Sequence, residues 1–238
     1  MDRRRFVAAA AVGGITATAG CLGSVEEYIT DLTTVNASPA VVSQTAVDDA
    51  GYEYHGTQEV IETETVARQS VDAVNYISQY TRTITTPFGV LDGETEAGVF
   101  AAITTPQVRL LGEDFNPVSD MTTAEIAEHV QNQYAELEVG DELEERAVAI
   151  LERESTVDTF DGEATLHGYE GVAVYIDIAR LEYGSDHLVL VGVYPDAGTL
   201  DRESEAERID ILLEGLEHGD DVEADILEAD TDSNADTD

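Results

Sequence analysis

Apart from its acids, the chain carries few side chains that could bind an ion or turn over a substrate. Its five histidines, His55, His129, His167, His187 and His218, form no metal-ligand spacing such as H-E-x-x-H. Glu125 and His129 stand four apart and could share a metal from one helix face, but His129 also borders the apolar stripe of that helix. A surface or core-edge pair is the expectation. Asp230, Asp232, Asn234 and Asp236 alternate like the opening of an EF-hand loop, which offers oxygen ligands to Ca²⁺. Ala235 stands where such a loop needs glycine, and the bidentate glutamate is missing. That stretch reads as a solvated acidic tail.

Blue copper needs a thiolate, two histidines and usually a methionine. Cys21 is the single cysteine, and Met121 is the one methionine besides Met1, so copper electron transfer is excluded. No G-x-S-x-G elbow occurs, and S-x-x-K is impossible without lysine. Carboxylates are too numerous for any pair to signal a glycosidase. These residues predict no catalytic group, no cofactor and no metal site. Asn36-Ala37-Ser38 is an N-glycosylation acceptor pattern, which makes Asn36 a candidate modification site, although Pro39 hinders its use. The loop from Gly112 to Met121, with Asn116-Pro117 as its turn, is the first place to seek a ligand pocket, beside the helix that follows it.

Around these residues the pattern predicts an α+β domain: a mainly antiparallel sheet packed by two or three helices. Ser38-Pro39 reads as a cap and first turn of a short helix ended by Gly51. Tyr54 to Ala67 and Val71 to Ile84 are rich in Val, Thr, Ile and Tyr, as strands are. Asp92-Gly93 is a hairpin signal, followed by the apolar strand Val99 to Thr104. Thr122-Thr123-Ala124-Glu125 is a capping box for a helix whose stripe is Ile126, Val130, Tyr134 and Leu137. Four strands follow: Ala147 to Glu152, Val157 to Phe160, Glu163 to His167 after a turn at Asp161-Gly162, and an alternating strand from Val172 to Ile178. Gly184-Ser185 turns the chain into Leu188 to Tyr194, apolar on both faces and hence central in the sheet. A last helix is predicted from Leu200 to His218, and an acidic disordered tail from Asp220.

The composition sets the surroundings. There are 51 acidic residues against 11 basic ones, all arginine, for a formal charge of −40. Self-repulsion on this scale opposes a compact fold. In 0.1 M salt charges interact over roughly 10 Å, and in 1 M salt over roughly 3 Å, so the chain suits brine. Nucleic acid is excluded as a partner, because phosphate binding draws on Lys and Arg.

The first twenty residues differ in kind. Asp2-Arg3-Arg4-Arg5-Phe6 precedes a weakly apolar stretch from Val7 to Ala19, shorter than the ~20 residues a membrane-spanning helix needs. Arg3, Arg4 and Phe6 resemble the twin-arginine export motif. Thr18-Ala19-Gly20-Cys21-Leu22 resembles a lipobox, which makes Cys21 the lipidated residue after cleavage. Loss of Asp2 and Arg3 to Arg5 then leaves 50 acids and 8 arginines, a formal −42. The predicted organisation is a signal peptide over 1–20, a tether over 21–35, one domain over 36–219 and the tail over 220–238.

The export start and lipobox, together with Ala37-Ser38-Pro39-Ala40, Thr104-Thr105-Pro106-Gln107-Val108, Phe115-Asn116-Pro117-Val118 with Asp120-Met121, and Gly192-Val193-Tyr194-Pro195, resemble a family of haloarchaeal lipoproteins of unknown function. That resemblance implies no catalytic residues. The element order also resembles PsbP/Mog1-type α/β sandwiches, on topology alone. The expected role is a binding or scaffolding module on the outer face of the cell membrane. It would be held to the lipid bilayer through Cys21 and meet an envelope protein or small ligand. An envelope hydrolase with an unrecognised site is the alternative.

Overall fold

A computed structural model describes residues 34–227, apart from 67–68, 87–92, 108, 111–112, 115–120, 134–136, 167–168 and 197–199. Long strands rich in β-branched and aromatic residues lead the chain into two meanders. The first is β3 (Glu53–Val66), β4 (Gln69–Thr86) and β5 (Gly93–Pro106). The second is β8 (Leu137–Ile150), β9 (Arg153–Leu166), β10 (Tyr169–Tyr183) and β11 (Asp186–Pro195). Antiparallel pairing of β5 with β11 joins them, Val191 opposite Ala101. With β1 (Thr34–Asn36) and β13 (Ile226–Leu227) added as short parallel strands on β4 and β3, one nine-stranded sheet results, in the order β13-β3-β4-β5-β11-β10-β9-β8. The fold is α+β, as the sequence predicts. β11 is central, and its residues are buried on both faces but for a half-buried Val193.

Helices cover both faces. On one, α1 (Gln44–Ala50) and α3 (Arg202–Glu214) set Ala46, Val47, Ile209, Leu212 and Leu213 against Tyr80, Phe100, Leu188 and Leu190 of the sheet. Tyr54 stacks on Tyr80 at 5.0 Å between ring centroids. On the other, α2 (Thr123–Gln133) sets Ile126, Ala127 and Val130 against Phe160, Val174, Ile176, Ile178, Val189 and Val191. The period of two divides β10 between the layers: Ile176 and Ile178 face α2, while Asp177 and Ala179 face α3. Each buried Leu or Ile contributes roughly 1.5–3 kcal/mol relative to exposure.

Several predicted boundaries are corrected. Ser38-Pro39 caps no helix. Ala40–Val42 forms β2, which pairs with β12 (Leu216–His218), and the helix starts after Ser43, whose side chain accepts from the amide of Ala46. Branched Val41 and Val42 suit a strand once a partner is present. Gly51 does close α1, at φ 73°. The last helix stops at Glu214, because Leu216–His218 is drawn into that same pairing. β9 runs straight through Asp161-Gly162; its turn from β8 lies at Leu151-Glu152, both at positive φ. β8 begins ten residues before Ala147, and Leu137 is its first residue rather than part of the α2 stripe. Residues 220–227, which the sequence assigns to a disordered tail, are described, and Ile226–Leu227 pairs with Thr57–Gln58. Asp92 and the loop over 115–120 lie outside the described residues, while Arg109–Leu110 (β6) pairs with Glu113–Asp114 (β7).

Candidate functional site

The sequence around residue 122 starts α2 at one end of the sheet. Thr122 donates its amide to Glu125 Oε2 at 2.8 Å, and the amide of Glu125 donates back to Thr122 Oγ1 at 3.2 Å, closing the predicted capping box. Those bonds from Thr122, amide first and hydroxyl second, hold the Glu125 carboxyl below the usual range. Beside this helix start opens a cleft of about 550 Å³, with Thr122, Thr123, Arg153, Ser155, Asp158 and Arg180 among its walls. Arg180 donates to the carbonyl of Met121. Arg153 donates to the carbonyl of Glu182 at 3.0 Å, its guanidinium 4.7 Å from the Tyr183 ring centroid. Through the bond from Arg180 the cleft meets Met121, the last residue of the loop singled out in the sequence.

Asp158 is the buried acid of this cleft, 8% exposed. Its Oδ2 accepts from the hydroxyl of Thr123, while its Oδ1 is buried without a hydrogen-bond partner among the described residues. Glu145 is its direct neighbour across β8 and β9, and Glu142 completes a trio whose carboxylate oxygens lie within 4.8 Å of one another.

Elsewhere the buried ionic groups join elements. Arg146 of β8 reaches through the opposite face of the sheet to Asp177 at 2.7 and 3.1 Å, to Asp210 of α3 at 2.9 Å and to Thr159 at 3.0 Å. Burial pulls its guanidinium down, but the hydrogen bonds it donates to Asp177 and Asp210 outweigh this and hold it above its ordinary value. Arg82 pairs with buried Glu205 beside Tyr52, whose phenol burial pushes up to about 12. His218 donates Nδ1–H to the carbonyl of Pro39 at 3.1 Å, and its Nε2 lies 3.1 Å from Asp186 Oδ2, which also accepts the amide of Ser38 at 2.8 Å. Both ring nitrogens thus face acceptors, and the ring clasps Asp186 against the backbone at Pro39.

The sequence-read residues fare unevenly. Arg3, Arg4, Phe6 and Cys21 lie outside the described residues, as do His167 and the acids from Asp230 to Asp236. Asn36 is exposed at the end of β1, and the hydroxyl of Ser38, two residues on, donates to Asp220 at 2.7 Å. Glu125 and His129 are both exposed on α2, as expected of a surface pair. His55 bonds Thr81 at 2.6 Å, and buried His187 lies 4.0 Å from Glu182. Neither His129 nor His187 lines the cleft. The sequence did not single out Asp158, Glu142 or Glu145. Their one signal is the length of β8, which decides what stands opposite Asp158.

A family model described as a domain of unknown function (DUF6517) matches residues 39–217. The match runs from the start of β2 into β12, through both meanders and all three helices. No curated protein matches the chain.

Proposed function

We propose that this chain, which belongs to the family of domains of unknown function DUF6517, acts as a lipid-anchored binding or scaffolding module of a halophilic archaeal envelope. Arg3, Arg4 and Phe6 direct export, and Cys21 carries the lipid on the outer face of the membrane. Twelve residues separate Cys21 from Thr34, a reach of roughly 40 Å when extended, enough to hold the domain clear of the headgroups.

The observation that carries the binding role is the polar cleft at the start of α2. It places Arg153 and Arg180, two of only eight arginines beyond the leader, among hydroxyls and carboxylates. Such a lining suits a polar or zwitterionic ligand, or a polar protrusion of an envelope protein, more than an apolar one. Arg153 is further held by a carbonyl and a ring, so part of its positioning is fixed before a ligand arrives.

The test has two arms, both in a haloarchaeal host. Cys21→Ser should appear in the medium while the wild type stays with the membrane; a membrane-retained variant would refute the anchor. Lipoprotein purified from membranes should retain a bound envelope component that Arg153→Gln/Arg180→Gln loses. Equal recovery by both would refute the cleft as the binding face.

A further inference from the structure

We propose that Glu142, Glu145 and Asp158 form a calcium site between the edge strand β8 and the start of α2. The site shares Asp158 with the cleft described above, but it rests on the trio of carboxylates and not on the arginines that carry the binding reading. Two observations carry it.

The first is the register of β8. Glu142 and Glu145 are three residues apart, a spacing that in a regular strand sends side chains to opposite faces. β8 loses regular register on β9 between Val139 and Glu142, and again between Glu142 and Glu144. Irregularities of this kind re-aim side chains. Here the result brings the oxygens of Glu142, Glu145 and Asp158 within 4.8 Å of one another, and like charges facing each other across strands are unfavourable.

The second is Asp158 itself. The residue is more than nine-tenths buried, and its Oδ1 is buried without a partner among the described residues. Molar salt damps the repulsion between the exposed glutamates, since charges then interact over roughly 3 Å. Diffuse counterions do not reach a buried oxygen. An orphaned carboxylate oxygen of this kind is costly, and a cation in direct contact removes the cost. Only oxygen ligands are present, which selects a hard cation. Two of the three sit on long, exposed side chains of an irregular edge strand. Calcium tolerates such loose geometry, with water filling its remaining positions, whereas magnesium demands a near-ideal octahedron.

The experiment uses the full lipoprotein, chelator-treated and held in about 2 M KCl to suppress loose association with the other carboxylates. Calorimetric titration with CaCl₂ should give one saturable site per chain and a higher melting temperature. Glu142→Gln/Glu145→Gln should lower the affinity at least tenfold. Glu203→Gln/Glu207→Gln, which removes the same charge from the exposed side of α3, should leave it unchanged. Without calcium, Asp158→Asn should melt no lower than the wild type, since it discards the orphaned charge. Absence of saturable heat, equal affinity in the trio variant, equal loss in the α3 variant, or magnesium binding as tight as calcium would each overturn the assignment.

Discussion

Removing the guanidinium of Arg146 should be among the most damaging single changes outside the apolar core. Asp177 is 1% exposed, and Arg146 is the cation bonded to it, with Nη2–Oδ2 at 2.7 Å and Nη1–Oδ1 at 3.1 Å. Arg146→Met keeps much of the apolar stem but leaves that carboxylate buried without its cation, with the Thr159 hydroxyl still donating to Oδ1 at 2.7 Å. Breaking a buried pair from one side costs about 3–5 kcal/mol. For a domain of this size that is a fall in Tm of roughly 6–20 °C. Arg146→Met/Asp177→Leu removes both charges and should recover most of the loss, because the penalty belongs to the stranded charge rather than to the missing pair. The exposed pair Arg202–Glu144, with side chains 35% and 53% exposed, supplies the contrast: Glu144→Gln should cost about 1 kcal/mol at most. Thermal melts in molar KCl separate the two, since screening reaches the surface pair and not the buried one. A loss below ~1 kcal/mol for Arg146→Met, or a double variant no better than the single, would refute the reasoning.

Gly215 sits where α3 meets α1, and a Cβ there would overlap the Cβ of Ala46. Gly215→Ala should therefore lower stability by about 1–3 kcal/mol, read by denaturant unfolding, and an unchanged midpoint would show that the helices separate freely. Burial pushes the Tyr52 phenol up to about 12 and also raises Tyr80 and Tyr194. A raised acid contributes stability in full below its unfolded value near 10 and loses it as pH climbs to the folded value. Tyr52 alone should withdraw on the order of 1 kcal/mol per pH unit as pH climbs from 10 towards 12. Phenolate absorbance should then show late-titrating tyrosines released together with loss of near-ultraviolet dichroism; a single titration near pH 10 in an intact fold would contradict the burial account. Diluting KCl from molar to ~0.1 M lengthens the range of repulsion about threefold, and the far-ultraviolet β signal should collapse; an unchanged spectrum would count against salt-dependent folding.

Most of the sheet is legible because side chains on a strand alternate. Val174, Ile176 and Ile178 announce β10, and the doubly apolar run in β11 places it centrally. The capping box at Thr122 and the glycine at 51 also mark true ends, since each meets a need of the local backbone. Other ends are set by partners that no local pattern reveals. Asp161-Gly162 has the composition of a turn yet lies mid-strand, with Gly162 tight against the carbonyl of Glu138 on β8. The real reversal, Leu151-Glu152, carries no turn residue and is held by pairing of Ile150 with Arg153. The acid-rich start of β8 hides its period because most of its side chains face water. The trio around Asp158, the bonds of Arg146 and the His218–Asp186 clasp each join residues far apart in sequence, so each depends on register across the sheet.

The pairing of β2 with β12, fastened by His218, brings the first and last strands of the matched region side by side, Ala40 against His218. A short linker could therefore bridge the two ends. New ends could be opened at the exposed Gly184-Ser185 reversal, where a Cβ on Gly184 would meet nothing within 4 Å. The domain is in that sense nearly a closed ring, a good candidate for circular permutation.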